Sequence, residues 1–556
     1  MNKFSTKWKR LNDNDKWCLT IWLLFDVLLG LIIFLNANWF YLDAPYFLTL
    51  YKKIGIWGMF FLKGERFCPL VYTIDNILSA YISAEPTIHY MLQWLYWSCG
   101  MLIAIKFLGY YNIKYQYRIF CAFLMVMCTS FTENMFTLGK MELLLSEWLI
   151  IYFLAIYKIL YAEKRKWYLI FELSILGAFI TKETSLIMLA PVVMLIIYMS
   201  IWDRKKLKAA LCLCLILGLN LIALQVYRSM YVVAGEYTTF GFSLGEYISK
   251  LAFYVKIHFD IIAMGVIGGI VCIINWFKEK KSEDAYLLII NLTGWGYLLA
   301  VSVFRWRMSY YIYPVAILFS LSFISVFQGQ IKKKIKMCCL LIVLLNLVYA
   351  MNYNYKVATS QMDLGKTFEQ SINSIIKHTN SDSKILVTSY DFYEEPIMQT
   401  KTLLEYYGEA RDVIGVKQEI NNSNMDEGVL ALYGYTLEDY KELKSDCKPQ
   451  IGDYILINRN VRNFRGDVRG VNPAADNIDS EKLFQILGVK AELVDKTIIE
   501  RNWLSFSDPD FKQNTIAGYE LWKVNNTGNS ITGIYTDGWS GKEVNILNYN
   551  NKSNMR

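Results

Sequence analysis

Eleven apolar stretches, each close to the length that crosses a bilayer, crowd into residues 1–351 of this 556-residue chain. They cover 17–38, 88–109, 117–133, 143–161, 167–181, 184–202, 209–232, 258–278, 285–304, 309–328 and 337–351. A spanning helix needs about 20 mostly apolar residues. In hydrocarbon every backbone amide must find its partner within the structure, so repeated runs of this length specify a helical bundle. The pair 167–181 and 184–202 is read as two spans, because the connecting "TKET" is polar. Charged residues make up only 19% of the chain, and those of the first 351 residues gather between the apolar runs.

The basic residues fix an orientation. Lys3, Lys7, Lys9, Arg10 and Lys16 precede the first span; later groups are Lys106/Lys114/Arg118, "EKRK" (163–166), "DRKKLK" (203–208), "KEKK" (278–281) and "KKKIK" (332–336). With eleven spans and a cytoplasmic N-terminus, all of these fall on the cytoplasmic side, as the positive-inside rule requires. The first apolar segment, too long for a signal-peptide core and lacking a small-residue cleavage pattern, reads as a retained helix. The same topology makes the chain a multi-pass cell-membrane protein with its C-terminal part extracytoplasmic. It also places Asp43, the segment Glu133–Glu142, Lys182 and Arg305–Arg307 together at the outer face.

Several function classes drop away. The net charge of +8 comes from short inter-span loops, not from a basic stripe, so nucleic acid is not an expected partner. Most of the eleven cysteines lie inside apolar stretches without C-x-x-C spacing, and the three histidines are far apart, so neither a disulfide framework nor a histidine metal centre is expected. Asp26, Glu147 and Glu172 lie within spans, where charge is costly. With no internal repeat to suggest a transporter, they are expected to have buried structural partners.

The outer loops carry the informative patterns. The first contains "LDAPYFLTLYKKIGIWGMFFLKGERFCPLVY", an acid followed by an aromatic stretch and a Gly-Glu-Arg-Phe-x-Pro-Leu-x-Tyr run. Then come "FTLGKMELLLSEW" (136–148), "LGAFITKETSLIMLAP" (176–191) and "RMSYYIYPVAILF" (307–319). In this order the four stretches resemble the GT-C glycosyltransferases, in the branch holding glycosyltransferase family 39, the protein O-mannosyltransferases and the lipid A aminoarabinose transferase. Asp43, Tyr46, Gly55, Gly58, Gly64, Pro69, Leu70 and Tyr72 fall in step with that family's first outer loop. Glu142, Lys182, and Arg307 with Tyr310, Tyr313 and Pro314 match the other three. The chain departs from the pattern at Ala44, where many relatives carry a second acid, and at Glu142, where they often have Asp.

The resemblance implies transfer of a monosaccharide from a polyprenyl-phosphate donor to a cell-envelope glycan, lipid or protein, with inversion. The residue types suit that chemistry on their own terms. A carboxylate can deprotonate an acceptor hydroxyl, and cations at the interface can stabilise a departing lipid phosphate. Asp43 is the expected base and Glu142 the second acid, orienting the acceptor or sharing a divalent cation such as Mg or Mn with Asp43. Lys63, Arg66, Lys182, Arg305 and Arg307 are the phosphate candidates, with Arg66, Lys182 and Arg307 favoured, and Tyr313 is a further substrate contact. Two other readings stay open: a polysaccharide polymerase or ligase, disfavoured by the arginine-free 233–257 loop, and a transporter or flippase of lipid-linked sugars.

Beyond residue 351 helix and strand signals alternate: one helical face over 364–376, strand runs at 384–389, 452–458 and 519–524, and a helix stopped by Gly488. The expected organisation is a transmembrane domain over 1–351, an extracytoplasmic α/β domain over 352–524, and an Asn/Gly-rich tail or small β-structure over 525–556.

Overall fold

The computed structural model describes residues 13–39, 49–61, 68–232, 243–304, 308–328, 332–388, 395–415, 449–459, 480–501, 515–528, 533–536 and 543–546. Its helices of five or more residues are α1 (Asp13–Leu35), α2 (Pro69–Tyr81), α3 (Pro86–Gly109), α4 (Tyr115–Met127), α5 (Phe131–Met135), α6 (Met141–Ala162) and α7 (Trp167–Thr181). There follow α8 (Leu189–Trp202), α9 (Arg204–Tyr231), α10 (Leu244–Ile257), α11 (Phe259–Glu279), α12 (Ser282–Val301), α13 (Tyr313–Ser322) and α14 (Lys333–His378). Turns of 3₁₀ helix at Glu183–Met188 and Ser309–Ile312 lead into α8 and α13. Among the described residues nine helical segments are long and apolar enough to span a bilayer, and α4 and α7 are shorter apolar helices. These answer the eleven expected stretches one for one.

The bundle has a centre and a rim. In the spanning window of α6 89% of residues are buried, and in that of Ser309–Gln328 94%, against 22% for α9 and 17% for α14. The central helices are sheathed by α3, α7, α11 and α12, while the rim helices turn rows such as Leu211, Leu215, Leu219 and Ile222 outward. That apolar outer face fits a lipid solvent. Two of the intramembrane acids have the expected partners: Ser98 Oγ donates to the buried Asp26, and Asn220 Nδ2 donates to the half-buried Glu172 at 2.9 Å. Glu147 is buried beside Gly100, which leaves room for its side chain, with no hydrogen-bond partner to its Oε1 among the described residues.

The boundary expected at residue 351 lies within α14, which continues unbroken for 46 residues. The apolar composition ends near that point, but its helix-forming pattern does not. Past the bundle the buried face of α14 changes partner, with Leu364, Phe368, Ile372 and Ile375 facing a five-stranded mixed sheet. The strands are β1 (Lys384–Thr388), β2 (Asp412–Gly415), β3 (Tyr454–Asn458), β4 (Val489–Arg501) and β5 (Thr515–Thr527), in the order β2-β1-β3-β5-β4. β1 runs parallel to β2 and β3, and β5 runs antiparallel to β3 and β4. Helices α15 (Glu395–Tyr406) and α16 (Ser480–Leu487) complete the α/β layer. α16 stops at Gly488, whose φ of +65° is a conformation glycine adopts without a Cβ penalty. Strands β6 (Gly533–Thr536) and β7 (Glu543–Ile546) pair as an antiparallel ribbon.

Polar ties fasten α14 to the sheet. Arg501 Nη2 donates to Asp363 Oδ1 at 2.9 Å, Ser374 Oγ to Asp495 Oδ2 at 2.6 Å, and Tyr454 OH to His378 O at 2.9 Å.

Candidate active site at one end of the bundle

The alternating helices bring the end of α1, the start of α3, the end of α4, the start of α6, the end of α7 and the start of α13 to the same end of the bundle. α14 leaves the bundle there too: Asn354 Nδ2 donates to the carbonyls of Met127 and Cys128, at 3.0 and 3.1 Å, where α4 ends. The sheet stands beyond this end.

Two of the expected site residues meet there. Glu142 lies in the first turn of α6, and Lys182 is the extended residue between α7 and the following 3₁₀ turn. Lys182 Nζ donates to Glu142 Oε1 in an ion pair whose side chains are 4% and 1% exposed. Their approach depends on Gly177, five residues before Lys182. A Cβ at Gly177 would come within 2.4 Å of the Trp148 ring, so only glycine lets α7 lie this close to α6. Below the pair, Tyr152 OH donates to Met188 O at 2.6 Å and holds the 3₁₀ turn against α6.

Aromatic rings roof the pair. Lys182 Nζ stands 4.3 Å from the centroid of Tyr311, and Lys140 Nζ 4.3 Å from that of Tyr310. Both separations are within cation–π range. Tyr311 is the nearer ring to Lys182, with that of Tyr310 at 5.9 Å. Tyr313, expected as a substrate contact, is fully buried, and its hydroxyl accepts from Trp97 Nε1 at 3.1 Å. The cause is local: residues 309–312 form a 3₁₀ turn with three residues per turn, so Tyr313 opens α13 facing the core.

The loop between α4 and α6 is held as firmly as a helix. Gln93 Nε2, from α3, donates to the carbonyls of Asn134, Met135 and Thr137 at 3.1, 3.0 and 3.3 Å. Asn134 Nδ2 donates to Tyr310 O at 3.1 Å, linking this loop to the ring-bearing turn. At the loop's start Thr129 N and Oγ1 both donate to Asp260, at 3.0 and 2.8 Å. Hydrogen bonds of this kind between buried polar groups favour a single geometry. The sequence patterns single out none of Gln93, Asn134, Asp260 and Tyr311. A legible signal exists for Gln93, a primary amide inside an apolar span that must be paired.

The described residues on either side of the first inter-span loop are anchored. Pro69 and Tyr72, which fall in step with the family pattern, lie in the first turn of α2. Across from α2, His89 Nδ1 is 2.8 Å from Asp75 Oδ1 and Nε2 3.1 Å from Ser79 Oγ, tying α2 to α3. At the other side Trp39 and Asn38, leading toward Asp43, lie against Gly365 of α14, where a Cβ would sit 3.3 Å from Trp39 O. Asp43, Lys63, Arg66, Arg305 and Arg307 lie outside the described residues.

Glu142 gives Oε1 to an ammonium, and among the described residues no group of three or more His, Cys, Asp or Glu is arranged to hold a metal ion. The described residues therefore do not by themselves fit a divalent cation at Glu142.

No family model matches the chain, and no curated protein matches it by sequence. Solved structures do match its fold. ArnT from Cupriavidus metallidurans bound to undecaprenyl phosphate aligns with a TM-score of 0.50 at 10% identity, covering 90% of this chain and 98% of that one. ArnT is a lipid A aminoarabinose transferase. The fold is GT-C. The apo form of the same ArnT gives a TM-score of 0.49 at 9% identity, with the same coverage. The Archaeoglobus fulgidus oligosaccharyltransferase, also in an apo form, gives 0.44 at 11% identity over 78% of this chain and 69% of that one. Within this fold, the buried Glu142–Lys182 pair occupies the end of the bundle from which α14 emerges.

Proposed function

We propose that this protein is a membrane glycosyltransferase that moves a monosaccharide from a polyprenyl-phosphate donor to a hydroxyl of a cell-envelope glycan, lipid or protein. The N-terminus is cytoplasmic, and the Glu142–Lys182 end and the sheet face the outside. One observation carries the reading: a GT-C bundle whose two motif residues, forty positions apart in sequence, meet as a buried acid–base pair at the end where the sheet stands. The undecaprenyl phosphate bound by ArnT supports a lipid-phosphate donor.

In this reading the Asp43 carboxylate takes the proton of the acceptor hydroxyl. The acceptor oxygen attacks the anomeric carbon from the face opposite the phosphate, the bond from that carbon to the phosphate oxygen breaks, and the configuration inverts. Polyprenyl phosphate leaves with the bonding electron pair, and positive charge from Lys182, Arg66, Arg307 and Lys63 stabilises it. Lys182 is suited to this role because Glu142 and the Tyr311 face hold its ammonium in one place, so no reorganisation is needed as charge develops. Glu142 acts as the second acid, setting the position of Lys182 and of the acceptor. Tyr313 belongs to the scaffold, and no step is routed through a metal ion.

The test uses purified full-length protein and its Asp43→Asn variant in nanodiscs with a panel of polyprenyl-phosphate sugars. Release of free polyprenyl phosphate is followed with and without an acceptor fraction. Turnover of one donor by the wild type, reduced at least about a hundredfold in the variant, supports both the class and the base. Donor that binds and stays intact in both proteins, even with acceptor, overturns the transferase reading in favour of a flippase.

A further inference from the structure

We infer that the opposite end of the bundle carries a second binding site, for a phosphate-bearing anion, centred on Lys158. The inference stands on its own geometry and does not depend on the transferase reading. Lys158 lies on the same helix as Glu142 but sixteen residues further along, about 24 Å away at 1.5 Å per residue. It is only 7% exposed. Its Nζ sits 3.1 Å from the centroid of Tyr110 and 5.9 Å from that of Tyr157. The two tyrosine rings are themselves stacked, with centroids 5.7 Å apart and planes at 16°.

What this ammonium lacks is a counter-charge. No carboxylate among the described residues pairs with it, and the charges that reach it are two further cations, Lys106 and Lys164. Lys106 lies in the last turn of α3, Lys164 follows the left-handed turn at Glu163 that closes α6, and both are exposed. Glu283, the acid within the adjoining tyrosine cluster, is engaged by Tyr157 OH at 3.2 Å. A π face offsets only part of the cost of burying an ammonium. Three converging lysines add repulsion that an anion would remove.

The chemistry that fits is a phosphate group seated on Lys158 and gripped by Lys106 and Lys164. Its place at the end of membrane-crossing helices, rimmed by tyrosines, suits the phosphodiester of an anionic phospholipid, with the acyl chains alongside the bundle. In the orientation proposed above this is the cytoplasmic leaflet, where anionic lipid is abundant. A free phosphate ion shares the same chemistry.

Native mass spectrometry of the full-length protein in detergent, titrated with phosphatidylglycerol or phosphatidylcholine, tests this inference. Calorimetry with inorganic phosphate forms a separate arm. Phosphatidylglycerol should bind in preference to phosphatidylcholine. Lys158→Met should lose that preference about fivefold, and the exposed double variant Lys106→Ala/Lys164→Ala about twenty-five-fold, at a rough fivefold per lysine. The double variant leaves the buried core untouched, so its result stands even if Lys158→Met fails to fold. Binding of inorganic phosphate that also displaces the lipid keeps the anion site and assigns it a soluble ligand. A wild type with neither lipid preference nor phosphate binding, or a double variant that binds like wild type, overturns the site.

Discussion

Glu142 and Lys182 carry two burdens at once, packing and chemistry, and substitution can separate them. Removing one member leaves the other charged and buried, which costs about 3–5 kcal/mol. Lys182→Met and Glu142→Gln should therefore each lower the thermal midpoint in detergent. The double variant Glu142→Gln/Lys182→Met replaces the pair with neutral groups and should recover most of that loss, while donor turnover stays absent. Recovery of turnover together with stability would reduce the pair to a structural brace. Both residues are legible in sequence because each sits in a short motif at a span end. Tyr311 is not: the family pattern falls on Tyr310 and Tyr313, whereas the 3₁₀ turn, tied to Asn134 through Tyr310 O, sets Tyr311 over Lys182.

Among the elements, the spans are readable because length and apolarity are properties of the chain itself. The strands are less so. β1, β3 and β5 announce themselves as short apolar runs. The thirteen-residue β4, "VKAELVDKTIIER", carries no such signal, because it is half exposed and its pairing with β5 shifts register at Lys490/Ala491 and Leu493/Asp495. Only tertiary pairing specifies such a strand.

That pairing places Lys496 opposite Glu520, whose Oε1 lies 2.8 Å from Lys496 Nζ. Its Oε2 accepts from Arg459 at 2.8 Å, Ser480 at 3.1 Å and Trp522 at 3.2 Å. Burial pushes this carboxyl up, but the hydrogen bonds and charges of Lys496 and Arg459 outweigh it and bring it down to about 2, from an ordinary 4.5. A folded-state value below the unfolded one stabilises the sheet above pH 4.5, and that contribution is lost as pH falls from 4.5 toward 2. It amounts to roughly 2 kcal/mol once the half-exposed Lys496 is discounted. In Glu520→Gln the denaturant midpoint of the sheet should fall at neutral pH and lose part of its dependence on pH over that window. The remainder belongs to Asp495, whose carboxyl burial pushes up but hydrogen bonds from Ser374 and Tyr519 hold down. Trp522 fluorescence, read as the difference from Trp522→Phe, reports the transition, and an unchanged pH dependence would show that other carboxylates govern it.

At the scale of the whole molecule α14 joins two phases of packing, one against the bundle through Asn354 and one against the sheet through Phe368 and Ile372. Inserting one residue after Met351 rotates everything beyond it by about 100° and should abolish donor turnover while the spans still insert. Inserting seven residues, close to two turns, restores the phase and should preserve the fold of the sheet by protease resistance. Turnover that survives the single insertion would show that the two parts work independently. Composition marks residue 351 as an edge because hydropathy changes there, but a helix is held by its own hydrogen bonds and does not stop where the solvent does.

At 1.5 Å per residue those 46 residues make a strut about 69 Å long, roughly twice the thickness of the hydrocarbon. Its lower part stands among lipids and its upper part is bolted to the sheet by Arg501, Ser374 and Tyr454. A rigid rod of this kind turns a change of angle below into a sweep above: about 5° of tilt moves a point about 35 Å up the rod by about 3 Å. Helices answer a thinner or thicker bilayer by tilting. The sheet beyond the Glu142–Lys182 end is thereby geared to the thickness of the membrane in which the foot of α14 is planted.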